Sequence, residues 1–220
     1  MWRDDLMNNR GTPIIGLGPR TEEFAELPLQ WMVHIQVADV AETVARALEH
    51  GGKELMHAKG DDGTSQWAVL LDPNGAAFGI MPVVPAEMMP PKQDATQVGH
   101  ISWVDLTVAD AAASCEFYRK VVGWEVVEVE MDEGGEPYVD YDMLGADTKL
   151  AAAIRHARGA NSGLPAVWMI CLSVGDLGES VRRVREGGGE VVQEVRGEDG
   201  ELVRAVIRDP LGVVVSLVCG

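Results

Sequence analysis

The sequence predicts an α+β chain built from repeated βαβββ units, and three observations carry that expectation. Residues 28–83 slide onto residues 165–220 without a gap at an offset of 137, and 19 of the 56 positions match, which marks a duplication rather than chance. Within each copy the apolar spacing runs from strand period to helix period and back. The same punctuation falls at the same places, with Gly51-Gly52 against Gly188-Gly189 and Asp72-Pro73-Asn74-Gly75 against Asp209-Pro210-Leu211-Gly212.

Taken in order, residues 1–20 read as the end of an incomplete unit, with Thr12–Gly18 as its last strand. An alternating run, Trp31–Val37, is the first strand of the next unit. Asp39 followed three residues later by Glu42 is an N-cap with a capping-box partner, and Val40, Val44, Ala47 and Leu48 recur at helical spacing behind it. Gly51-Gly52 supplies the left-handed stop. Three strands follow, near Lys53–Ala58, Gln66–Leu71 and Ala76–Met81, separated by turns at 60–63 and 72–75. The stretch up to Gln97 has prolines at 82, 85, 90 and 91 and neither periodicity, so it is read as a linker. A middle unit opens at His100–Val108, is capped at Asp110, ends its helix at Gly123-Trp124, and continues in strands near 125–130, 138–142 and 149–154. The third unit repeats the first, with Trp168–Val174 as strand and Asp176 with Glu179 as cap. The domain limits expected are a partial domain over 1–83, a linker over 84–96 and a complete two-unit domain over 97–220.

Composition narrows the function classes. Eighteen Lys and Arg against 35 Asp and Glu leave a formal charge of −17, which opposes a phosphate backbone and an anionic membrane surface, so neither nucleic acid nor membrane is an expected partner. No apolar run approaches the roughly 18 residues of a membrane span, and the opening Met1-Trp2-Arg3-Asp4-Asp5 lacks the order of a signal peptide; a cytoplasmic protein is expected. Cys115, Cys171 and Cys219 are odd in number and without CxxC spacing, which reads as free thiols rather than a disulfide frame or a zinc ribbon.

Paired βαβββ units, the helix Phe117-Tyr118 with Gly123-Trp124 after it, and the closing Asp72-Pro73-Asn74-Gly75-Ala76-Ala77-Phe78 together resemble the vicinal oxygen chelate superfamily of glyoxalases, bleomycin-resistance proteins and extradiol dioxygenases. The resemblance covers nearly all of residues 12–220 and implies units pairing into half-open mixed sheets around a cleft, which in many members holds a divalent metal. Its metal ligands map onto Met32, Trp103 and Met169 on first strands and onto Gly79 and Ser216 on last strands, none of them a carboxylate or an imidazole. The expected cofactor is therefore none, with a metal held by neighbouring groups left open.

Strand alternation places Val33, Ile35, Val37, Val104, Leu106, Val108, Ile170, Leu172 and Val174 on a helix-covered face. The opposite face carries Met32, His34 and Gln36, then Trp103, Asp105 and Thr107, then Met169, Cys171 and Ser173. That apolar lining with a few polar groups suits a small-molecule site. His34 and Asp105 are the catalytic candidates, as an imidazole and a carboxylate at equivalent strand positions, although such residues more often satisfy each other or a backbone group, and in separate clefts they would never meet. His57, His100 and His156 are read as solvated, and Trp31 and Trp168 as packing residues. Three functions follow: a metal-free small-molecule binding protein; a lyase, isomerase or dioxygenase with non-standard site residues, using a displaced metal or an acid/base pair; or a structural protein whose incomplete first unit is an association surface without a ligand. Because the first unit is incomplete, a homodimer formed through the N-terminal part is also expected.

Overall fold

The computed structural model describes residues 4–8, 11–88 and 97–220. It is an α+β fold of fourteen strands and three α-helices among those residues. Part of the proline-rich linker, residues 89–96, lies outside the described residues. No helix among the described residues is long and apolar enough to cross a membrane.

The chain divides into two compact units, each discontinuous in sequence. The first draws on the described residues within 32–90 and 104–168. It holds a four-stranded sheet of β3 (His34–Val37), β6 (Ala77–Pro82), β5 (Ser65–Leu71) and β4 (Lys53–Lys59) in that spatial order, with helix α1 (Val40–Glu49). It also holds the ladder β7 (Ile101–Val108, from Val104 onward), β10 (Leu150–His156), β9 (Glu136–Leu144) and β8 (Glu125–Glu133), with helix α2 (Ala111–Val122).

The core of this unit lies where the helices cover the sheets. Ile35, Val37, Phe78, Ile80, Leu106, Val108 and Ile154 are buried in it, as strand alternation requires. Phe117 and Tyr118 of α2 complete it, with ring centroids 5.1 Å apart and Phe78 at 5.2 Å from Tyr118. Such aromatic pairs contribute about 1 kcal/mol each beyond area burial. Trp168, expected to pack, is 1% exposed and donates its Nε1–H to Tyr118 Oη at 2.8 Å. Tyr118 in turn donates to Asp72 Oδ2 at 3.3 Å, so the Asp-Pro turn is bonded into the core.

The second unit draws on residues within 1–31, 91–103 and 169–220. Its main sheet runs β11 (Trp168–Val174, from Met169), β14 (Val214–Cys219), β13 (Leu202–Arg208), β12 (Glu190–Arg196), with helix α3 (Leu177–Glu186) packed on β12 to β14. A short hairpin of β1 (Asp4–Met7) and β2 (Pro13–Leu17) belongs to the same unit. β2 is the strand expected over Thr12–Gly18, and β1 has no counterpart among the strands that the sequence predicts.

The duplication survives as geometry. α1 and α3, and the last three strands of each copy, are offset by the same 137 residues, and in both copies the first strand pairs parallel with the last, His34 with Gly79 and Cys171 with Ser216. The three helices start as the sequence predicts: Asp39, Asp110 and Asp176 each accept from the backbone N–H three residues on, at 2.8–2.9 Å. One element differs. The first strand begins at His34 rather than Trp31, although Val33 still accepts the Gly79 N–H at 2.8 Å.

Candidate functional site

Three sheet faces turned away from the helices carry the polar groups. The first is on β3 and β6. His34 and Gln36 are exposed there while Ile35 and Val37 are buried, the alternation expected from sequence. His34 lies flat across the neighbouring strand: a Cβ on Gly79 would stand 2.4 Å from its ring, so only glycine admits the imidazole. Nδ1 donates to the Met32 carbonyl at 3.1 Å, which leaves Nε2 as the lone-pair nitrogen. Contact of one ring face with the sheet lowers the imidazole pKa by desolvation, against the smaller upward pull of the Met32 carbonyl, so the neutral form is favoured. Gln36 Oε1 accepts the Val84 N–H at 2.9 Å.

The second face is on β7 to β10. Register sets Asp105 beside Ala153 and Ala153 beside Asp142 in one row. Asp142 is ion-paired with Arg155 at 2.6 Å, both groups largely buried. Asp105 is half-buried, Thr107 is buried, and Trp103 is half-buried at the start of the strand. His34 keeps its hydrogen bond on Met32, and no bond joins it to Asp105. The imidazole–carboxylate pair of this face is a different one: Asp140, wholly buried, accepts at Oδ1 both the His156 backbone N–H at 2.8 Å and Nδ1–H at 3.0 Å. Asp140 Oδ2 is buried without a hydrogen-bond partner.

The third face is on β11 to β14. Met169, Cys171 and Ser173 are all buried on it, with Ser216 directly beside Cys171. Ser173 exchanges backbone bonds with Gly99 and His100, and the Cys171 carbonyl accepts from Ser102 Oγ at 3.2 Å. Ser216 Oγ and Gln193 Oε1 are sealed from solvent with no hydrogen-bond partner, and both flank Val206 in register. An unpaired buried polar atom costs about 1–3 kcal/mol, so a folded chain retains one chiefly where a ligand or an ordered water completes it.

The donor chemistry does not fit the divalent metal that the resemblance implies. Met32, Trp103, Met169, Gly79 and Ser216 supply no carboxylate or imidazole, and no three His, Cys, Asp or Glu side chains converge among the described residues. Cys115 is not an activated thiol: burial pushes it up to about 11, which keeps it protonated.

Three histidines differ from the sequence reading. His156 ends β10 rather than lying in a loop, and Asp140 holds it. His100 is buried, its Nε2 at 2.7 Å from Asn8 Nδ2. His57 lies inside β4 with its side chain largely buried, bonded to Glu54 and Ser65. In each case a partner distant in sequence or aligned by a bulge removes the ring from solvent, and strand period alone does not show it.

Comparison with known proteins agrees with this architecture. Residues 98–217 match the family model described as Glyoxalase/Bleomycin resistance protein/Dioxygenase superfamily, and residues 4–81 match a Glyoxalase-like domain. The chain is 31% identical over 129 residues to the "Putative glyoxylase CFP32" of Mycobacterium tuberculosis, covering 58% of this chain and 48% of that protein. It is 28% identical over 207 residues to the "Anthracycline biosynthesis protein DauV" of a Streptomyces species, covering 91% of this chain and 69% of that one. The chain thus spans about half the length of the CFP32 relative. Among solved structures, a glyoxalase I variant from Zea mays aligns over 86% of this chain and 69% of its own with a TM-score of 0.50 at 17% identity, a likeness of fold. With more than half of its residues under one family model, and with βαβββ copies behind that match, the chain belongs to the glyoxalase/bleomycin resistance protein/dioxygenase superfamily.

Proposed function

We propose that the protein binds a small organic molecule without a metal, and that the β11 to β14 face contributes the polar contacts. The observation that carries this reading is the pair of sealed, unpartnered atoms, Ser216 Oγ and Gln193 Oε1. Gln193 Oε1 needs a donor, Ser216 Oγ can donate or accept, and Val206 between them is apolar, so the ligand is apolar with at least one hydroxyl or N–H group. The relatives' names, one a putative glyoxylase and one an anthracycline biosynthesis protein, support small-molecule chemistry of this general kind. We propose 1–83 and 97–220 as the limits of the repeat-bearing segments of the sequence, from both of which each compact unit of the fold takes residues.

Native mass spectrometry of the full chain, purified from its own host without chelator, tests the reading. An organic adduct without stoichiometric metal, weakened in Ser216→Val and Gln193→Leu, is the expected result. One metal per chain would replace it with the enzymatic alternative, for which the Asp140–His156 pair is the favouring observation: a buried carboxylate fixes Nδ1–H and leaves Nε2 for proton transfer.

A further inference from the structure

On the helix side of the β3 to β6 sheet, away from His34, three side chains form a connected chain of hydrogen bonds. His57 Nδ1 lies 3.1 Å from Glu54 Oε2, and His57 Nε2 lies 2.8 Å from Ser65 Oγ. A carboxylate only accepts, so Nδ1 carries the proton. Nε2 then presents its lone pair, and the Ser65 hydroxyl donates to it.

The alignment depends on a β-bulge. Residues three apart in a strand face opposite ways, yet β4 shifts register between Glu54 and Met56, so Glu54 pairs with Leu70 and His57 with Ala68, both core-facing positions. A second shift, between Ala58 and Lys59, brings Ser65 into the same neighbourhood. Ser65 also lines a pocket of about 390 Å³ whose walls mix the small apolar residues Ala38, Val40, Ala41 and Pro82 with the polar Asp39 and Thr64. Val40 and Ala41 open helix α1, and the capping side chain of Asp39 is taken up by the Glu42 N–H.

We propose that Ser65, His57 and Glu54 form a hydrolytic triad acting on neutral esters with short apolar acyl groups. This site is separate from the binding face proposed above and goes beyond it. Ser65 Oγ attacks the ester carbonyl as its proton passes to His57 Nε2, and the carbonyl π electrons move onto oxygen. Collapse of that intermediate expels the alcohol, which takes the proton from His57 and leaves Ser65 acylated. Water then attacks the acyl carbon while giving a proton to His57, and the acid departs as Ser65 Oγ regains that proton. The sum is ester plus water giving acid plus alcohol. Glu54 is a positioning residue: it holds the imidazole tautomer and stabilises the imidazolium. The small side chains of Ala38, Val40, Ala41 and Pro82 limit the acyl size, and Asp39 in the same wall, with the chain's charge of −17, disfavours anionic esters.

The test uses the full chain with p-nitrophenyl butyrate and a biotinylated fluorophosphonate. The expected result is a single phosphonyl adduct on Ser65, located by peptide mass, with Ser65→Ala abolishing both labelling and turnover. His57→Gln should lower both at least about 100-fold, and Glu54→Gln at least about tenfold with the far-ultraviolet circular dichroism unchanged. Glu54→Asp, which keeps the carboxylate, should restore labelling and turnover in part, which a merely space-filling role would not do. Absence of an adduct on Ser65, or equal labelling in His57→Gln, overturns the proposal.

Discussion

The two matched copies share a backbone and part company at their side chains. Residues 53–59 and 190–196 occupy equivalent strands and even carry their bulges at equivalent places, between Glu54 and Met56 and between Val191 and Gln193. Yet the places of Glu54, His57 and Ser65 are taken by Val191, Glu194 and Leu202, and those of His34 and Gly79 by Cys171 and Ser216. What stays the same are caps, turns and bulges, which satisfy backbone groups and tolerate few alternatives. What differs are side chains on the sheet faces, where any residue of suitable size folds and chemistry is free to diverge. The copies teach that this fold holds its strands by backbone rules and places its functional groups by substitution on top of them.

The largest expected difference between the copies is at their Asp-Pro turns. Asp72 Oδ1 accepts from the Asn74 and Ala76 N–H groups, and Oδ2 from Tyr118, in a buried setting. Asp209 accepts only the two turn N–H groups, Leu211 and Val213. Asp72→Ala should therefore cost about 3 kcal/mol and Asp209→Ala about 1 kcal/mol in urea unfolding, since the first also strips Tyr118 of its acceptor. Equal losses would mean that the core linkage to Tyr118 contributes nothing.

The helix caps should behave alike. Asp39 and Asp176 make the same bonds, to Glu42 N–H at 2.9 Å and Glu179 N–H at 2.8 Å, and their own carbonyls accept Thr43 and Ser180 hydroxyls at 2.7 Å. Replacing either by Ala should lower stability by about 1 kcal/mol. A gap of more than about 1 kcal/mol between the two would show that the copies differ in their backbones as well as on their faces.

The smallest effect is a pH dependence confined to the first copy. His34 has its pKa lowered below 6.5 in the folded chain, so the unfolded chain binds the proton more readily. Its contribution to stability is full above 6.5 and is lost as pH falls through the folded pKa. Denaturation midpoints measured downward from pH 7 should fall less steeply in His34→Gln than in the parent. Cys171→Ala, at the same place in the other copy, is the matched control and should leave the slope unchanged.

Sequence by itself determined the architecture: the 137-residue register, the three aspartate caps, the glycine stops and the Asp-Pro turns are local requirements of the backbone, each readable within a few residues. It also separated the helix-covered face of the first strand from the polar one, because period-two alternation is fixed by pleating. Partners required the tertiary structure. His57 reads as solvated until a bulge turns Glu54 to its side and strand pairing delivers Ser65, and His156 reads as a loop residue until the adjacent strand presents Asp140. Ser216 and Gln193, ordinary in sequence, become conspicuous only when folding seals them from water without a partner. The physical reason is common to all three: a side chain's chemistry depends on what stands within hydrogen-bond reach, and across a sheet that is set by register, which the order of residues along one strand does not contain.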